Sequence, residues 1–118
     1  LSLFENIRLV RGTTNDQVTD ILVQLGLADH ARRKPSAVSQ GQRQRAALAR
    51  ALVHRPGLLI ADEPTGNLDE ETSQVVFKTL RDYADRGGAV LLATHDPLGK
   101  QVADRVYRMV DGQLENEE

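Results

Sequence analysis

The chain has 118 residues, 40 % of them hydrophobic and 27 % charged, with a formal net charge of −2. That length holds one domain with a core of respectable size, and the near-neutral balance gives no global reason to expect nucleic acid. Cysteine is absent, which excludes disulfides and thiolate metal sites, and no apolar run approaches the roughly 20 residues that span a bilayer. The charge is uneven: from Asp29 to Asp62 no acidic residue intervenes, while Arg32, Arg33, Lys34, Arg43, Arg45, Arg50 and Arg55 all fall there. A solvated helix face and a local field suited to a polyanion such as a nucleoside triphosphate both fit that run. No signal peptide is visible. The opening Leu-Ser-Leu-Phe-Glu-Asn-Ile begins in mid-phrase without methionine, so a preceding portion is expected. Glu115, Glu117 and Glu118 read as a polar tail.

The first element in chain order starts at Thr14. Thr14 and Gln17 spell a capping box; Val18, Ile21, Leu22 and Leu25 follow at helical spacing, and Gly26 stands where a glycine stop belongs. Asp29 to Lys34 predicts a short helical turn ended by Pro35. A second capping box, Ser39 and Gln42, opens an Ala- and Leu-rich helix running to about Val53, and Pro56-Gly57 breaks it. Leu58 to Ala61 is too short for a helix and predicts a fully buried strand. Pro64 to Leu68 is then a loop, with Asp69 capping a helix over Glu70 to Arg86 whose buried face is Val76, Leu80 and Tyr83 or Ala84. Gly87-Gly88 terminates it. Ala89 to Thr94 predicts a second buried strand, Leu98 to Val102 a short helix, and Arg105 to Val110 a strand that turns at Asp111-Gly112 into Gln113 to Glu115. Apolar strands alternating with helices imply an α/β fold with a parallel sheet.

Three places carry candidate chemistry. Asp62-Glu63 follows an apolar strand, and the carboxyl ends of parallel strands face the ligand crevice. Such a pair either marks a loop start or places one carboxylate to hold a hard cation such as Mg²⁺ and the other to polarise a water as general base. Ser39-Gln40-Gly41-Gln42 caps a helix, and the same geometry offers free N–H groups to an anion; the two roles are compatible. His95 ends the strand Ala89 to Thr94, on the same sheet edge as Asp62. It is either structural or a hydrogen-bond donor to a bound phosphate. His30 and His54 sit at helix ends with structural readings.

Taken in order, Ser-x-Gly-Gln-x-x-Arg, Ala-Leu-Ala-Arg-Ala-Leu, Asp-Glu-Pro-Thr, Asn-Leu-Asp and Thr-His-Asp resemble the ATP-binding-cassette (ABC) ATPases, over essentially the whole chain. The resemblance implies a P-loop NTPase-like (RecA-like) α/β core, incomplete here, with part of the helical subdomain over residues 1–38 and the C-terminal half of the core over 39–118. It makes Ser39, Gly41 and Gln42 the signature motif acting in trans, Asp62 the Mg²⁺ carboxylate, and Glu63 the catalytic glutamate. Asp69 becomes the aspartate at the dimer seam and His95 the switch histidine. It further implies ATP and Mg²⁺ as ligands, a head-to-tail partner domain, a transmembrane permease, no nucleic acid, and a peripheral place on the cytoplasmic side of the cell membrane. Pro64 to Asp69 is spelled most like the lipoprotein-release, macrolide-efflux and cell-division ATPases. The alternatives are a non-transport ABC ATPase acting on DNA or ribosomes, and an inactive fragment.

Two departures stand out. Gln40 replaces the usual glycine of the signature, and is expected to be tolerated because a helix start needs no positive φ. No G-x-x-x-x-G-K-S/T loop is present: Lys34, Lys78 and Lys100 are the only lysines, and Gly99-Lys100 is followed by Gln101. The resemblance places a missing strand between the His95 strand and the one at Val106, so exposed apolar edges and a cleft are expected. These 118 residues by themselves are expected not to hydrolyse ATP.

Overall fold

The computed structural model describes residues 1–117; Glu118, read above as part of the polar tail, lies outside them. Three helices lead. The first, α1 (Leu3–Arg8), was not foreseen, although Ser2 and Glu5 form a full capping box of the kind recognised further on. It buries Leu3 and Ile7. The second, α2 (Asn15–Gln24), starts at the predicted Thr14–Gln17 box and buries Val18, Ile21 and Leu22, and Gly26 ends it at φ 70°. The predicted turn before Pro35 resolves into two 3₁₀ turns, Ala28–His30 and Pro35–Ala37. Pro35 therefore opens the second turn, where its missing N–H costs nothing. Between them the chain is tied to α1: the Leu3 and Phe4 amides donate to the Arg33 and Ala31 carbonyls at 2.8 and 2.9 Å.

The third helix, α3 (Gln40–Leu52), is capped by Ser39 and Gln42 as predicted and buries Ala46, Ala49 and Leu52 against α1 and α2. Gln40 takes the first helical position without positive φ, as expected for that substitution.

Strand β1 (Leu58–Asp62), helix α4 (Glu70–Asp85), strand β2 (Ala89–Ala93), helix α5 (Pro97–Val102) and the hairpin β3 (Tyr107–Val110) and β4 (Gln113–Asn116) follow. β1 and β2 pair in parallel from Leu58↔Ala89 to Asp62↔Ala93, so both carboxyl ends share one edge. β3 and β4 form a separate antiparallel pair, joined by Asp111 and Gly112 at φ 49° and 78°; two successive positive values suit the right-handed twist of a hairpin.

The strands are not fully buried as predicted. Leu59 and Ala61 face the core, with Val90 and Leu92 half-buried beside them. Leu58, Ile60 and Leu91 are 56, 68 and 62 % exposed. The period-2 geometry of a strand gives it two faces, and α4 covers only one of them. One apolar cluster runs from Leu3 and Ile7 through Leu22, Leu25 and Leu52 to Leu59, Val76, Phe77 and Leu80. Phe77, absent from the predicted face of α4, is among its largest fully buried side chains. That cluster holds the β1–β2 edge against the first three helices.

Candidate active site

Asp62 closes β1 and is exposed; its carboxylate makes no hydrogen bond or ion pair among the described residues. Among those residues no cluster of three or more His, Asp or Glu side chains could enclose a cation. A lone carboxylate with open lone pairs fits Mg²⁺, which takes one or two protein carboxylates and completes its shell with water and substrate phosphate.

Glu63 is held quite differently. Its φ is 48°, a left-handed conformation costing an L-residue roughly 1–2 kcal/mol. Its amide donates to the Ala93 carbonyl at 2.7 Å, one step beyond the β1–β2 ladder. The turned backbone sends the side chain across to the end of β2. There the Glu63 carboxylate accepts from the His95 amide at 3.1 Å and from Thr94 Oγ1 at 3.3 Å. The His95 ring is fully exposed, its Nε2 3.6 Å from Glu63 Oε1. Asp62, Glu63 and His95 thus share one edge, as the sequence predicts.

Ser39, Gly41 and Gln42 lie at the other end of the site, at the start of α3. Ser39 Oγ accepts from the Gln42 amide at 3.1 Å, and the Ser39 amide donates to Gln42 Oε1 at 2.9 Å. That box leaves the Gln40 and Gly41 amides without intrahelical partners, as at any helix start. Gln42 Nε2 lies 3.1 Å from His30 Nε2, so His30, read as merely structural, buttresses the box. A Cβ at Gly41 would come within 2.8 Å of Leu68 Cδ2. This glycine therefore makes room for the loop after β1, whatever it also offers an anion.

The loop Glu63–Asp69 joins these two ends. Gln44 Nε2 of α3 donates to the Glu63 and Pro64 carbonyls at 3.2 and 2.7 Å, and Thr65 Oγ1 donates to Asp96 Oδ2 at 3.0 Å. Asp96 in turn caps α5 through the Leu98 amide, while its own amide donates to Thr94 Oγ1. Asp69 caps α4, accepting from the Thr72 amide at 2.7 Å; hydrogen bonds from Thr72, side chain first and then backbone, hold its carboxyl below the ordinary aspartate range.

Gln44 went unread in the sequence, and Thr65, Thr94 and Asp96 were quoted there only as members of motifs, with no role of their own. Asp96-Pro97 carried a usable signal, an acidic N-cap before a proline at the first helical position. Gln44 carried none, because its partners are main-chain atoms 19 and 20 residues away.

The fold is that of an ATP-binding cassette core, a partial P-loop NTPase architecture. The "ATP-binding cassette MJ0796", solved as a dimer in a post-hydrolysis state bound to ADP and Pi, superposes with a TM-score of 0.86 at 32 % identity, covering all of this chain and 56 % of that one. A family model described as ABC transporter matches residues 1–66, and the chain belongs to that family as part of an ATP-binding domain. It is 40 % identical over 127 residues to the macrolide export ATP-binding/permease protein MacB of Syntrophobacter fumaroxidans, covering 99 % of this chain and 18 % of that protein. With the lipoprotein-releasing system ATP-binding protein LolD of Francisella tularensis it shares 43 % identity over 97 residues, or 81 % of this chain and 42 % of LolD. The chain thus spans less than half the length of both relatives.

Proposed function

We propose that the protein containing these residues is the ATPase of an ABC transporter of the lipoprotein-release or macrolide-export type, hydrolysing MgATP between two head-to-tail domains to drive a membrane-embedded permease. The observation that carries this reading is the left-handed Glu63, whose carboxylate is aimed at the Thr94–His95 end of β2. The names borne by MacB and LolD supply the transport class. No described helix is long and apolar enough to cross a membrane. In this reading a transmembrane permease holds the ATPase at the inner membrane surface.

In this reading Glu63 takes the proton of the attacking water as general base. His95, its ring free in solvent, donates a hydrogen bond to the γ-phosphate. Asp62 holds Mg²⁺, which when bound neutralises charge on the phosphates. Ser39, Gly41 and Gln42 present the start of α3 to the nucleotide of the partner domain, and Asp69 lies at the seam between domains. Residues 1–38 belong to the helical subdomain and 39–118 to the core, with α3 as the joint: it packs on α1 and α2 and reaches the exit of β1 through Gln44. The 118 residues alone, without a phosphate loop, hydrolyse ATP no faster than background.

The test is Glu63→Gln in the whole protein, which keeps the side chain's shape and removes the base. ATP binding is retained and turnover falls by two orders of magnitude or more, within the range general-base loss produces, about 10²–10⁴-fold. Unchanged turnover in Glu63→Gln would remove Glu63 from the mechanism.

A further inference from the structure

The residue that aims Glu63 is not one of the motif residues read from the sequence. We propose that Gln44 is a positioning residue for the Glu63 carboxylate, locking the backbone of Glu63 and Pro64 through its side-chain amide; this rests on Glu63 being the base. Glu63 occupies a left-handed backbone state that glutamate does not favour, and such a state persists where surrounding contacts over-determine it. Two of those contacts fix the entry to the turn: the β1 ladder up to Asp62, and the Glu63 amide on Ala93. The exit from the turn is fixed by its carbonyls. The Glu63 carbonyl accepts from the Gly66 amide at 3.1 Å and from Gln44 Nε2 at 3.2 Å, and the Pro64 carbonyl accepts from Gln44 Nε2 at 2.7 Å.

One primary amide carries two N–H donors, so a single side chain can serve both carbonyls. The orientation of that amide is settled by chemistry, since both partners are acceptors and only nitrogen can face them. Rotation about the Glu63–Pro64 linkage toward a relaxed backbone would swing both carbonyls away from Gln44 and carry the carboxylate off Thr94 and His95. Gln44 is half-buried on α3, one turn beyond Gly41. The helix that begins with the signature therefore grips the backbone of the proposed base in its own chain. A shift of α3 by a fraction of an ångström would be felt at the carboxylate, where small misplacements are costly: about 1 Å can cost 10²-fold in rate.

The experiment uses the whole protein with three substitutions. Gln44→Met keeps the shape and removes both donors, Gln44→Glu replaces the donors with a charged acceptor, and Gln44→Lys keeps a donor at similar reach. Gln44→Met is expected to lower kcat about tenfold, the equivalent of one to two lost hydrogen bonds, with KM for MgATP within twofold. Gln44→Glu should lose more, and Gln44→Lys should recover to within threefold of the wild type. In a Glu63→Gln background, Gln44→Met should leave ATP affinity unchanged, which a general structural defect would not do. A kcat for Gln44→Met within twofold of wild type, beside an inactive Glu63→Gln, overturns the role of Gln44 and leaves the base assignment standing. An active Glu63→Gln overturns the base assignment first, and this proposal with it. If Gln44→Met does not fold, the comparison of Gln44→Lys with Gln44→Glu decides: equal rates for those two overturn the proposal.

Discussion

Gly41 offers a perturbation whose sign can be worked out in advance. An alanine there places its methyl 2.8 Å from Leu68 Cδ2, well inside van der Waals contact, and Leu68 is half-buried against the core. Leu68 must rotate or the loop must shift, at about 1–2 kcal/mol within the usual range for overpacking. Against this, alanine in a helix is favoured over glycine by up to about 1 kcal/mol, less in the first turn, where Gly41 lies. The net is a loss of about 1 kcal/mol in Gly41→Ala, or roughly 2–4 °C in melting temperature for a domain of 150–250 residues. In a Leu68→Ala background the obstructing methyls are gone, and the same substitution becomes neutral or stabilising. A double-mutant cycle in the whole protein, followed by chemical denaturation, should thus show a favourable coupling of about 1–2 kcal/mol between the two changes. Additivity within about 0.5 kcal/mol would refute the claim that this glycine is there to admit Leu68.

Two further outcomes are expected at the same edge of the sheet and the loop beside it. A methyl at the buried Gly99 meets Thr94 Cγ2 at 2.7 Å, Leu92 Cδ2 at 3.4 Å and Phe77 Cε1 at 3.7 Å. The Thr94 methyl clashes while the other two are ordinary contacts, so Gly99→Ala should cost about 1–3 kcal/mol. It should also lower turnover by displacing Thr94 from Glu63, and Thr94→Ser, which removes the opposing methyl but keeps the hydroxyl, should restore part of both in melting and ATPase measurements. For Asp69 the folded carboxyl is depressed by its Thr72 bonds, so its contribution to stability is present above the unfolded aspartate value of about 3.9. That contribution is lost as pH falls through the lower folded value. A carbon-13 NMR titration should place the Asp69 midpoint below about 3.9 and move it up in Thr72→Val; a midpoint at or above the unfolded value contradicts the cap.

What the sequence made legible was whatever rests on local chemistry. Thr14–Gln17 and Ser39–Gln42 announce helix starts because a capping box is a contact between residues three apart. Asp111-Gly112 announces a hairpin because few residues accept two positive φ values. The same rule would have found α1 at Ser2–Glu5, whose helix is so short that only two core side chains mark it. The shared edge of Asp62 and His95 was readable because parallel strands align their carboxyl ends. The burial of the strands was not readable from their apolar runs. An unbroken apolar strand says that both faces seek cover, and only the tertiary structure says which face α4 takes.

Glu63 marks the boundary of that legibility. Nothing in the residue type points to a left-handed backbone, for glutamate pays the full Cβ penalty that glycine avoids. In the sequence the loop reads as Pro64 to Leu68, and the positive φ values fall on Glu63 and Asn67 rather than on Gly66. Asparagine tolerates that state through its short polar side chain, so Asn67 has a local reason and Glu63 has none. Its reason is tertiary: Ala93 from β2 and Gln44 from α3 hold the two sides of a turn that the local Gly66 amide closes. A carboxylate aimed by two separated segments is accurately placed only while both keep their positions relative to the loop. Substitutions in α3 remote from any phosphate, such as those at Gln44, should therefore alter catalysis more than they alter ATP binding.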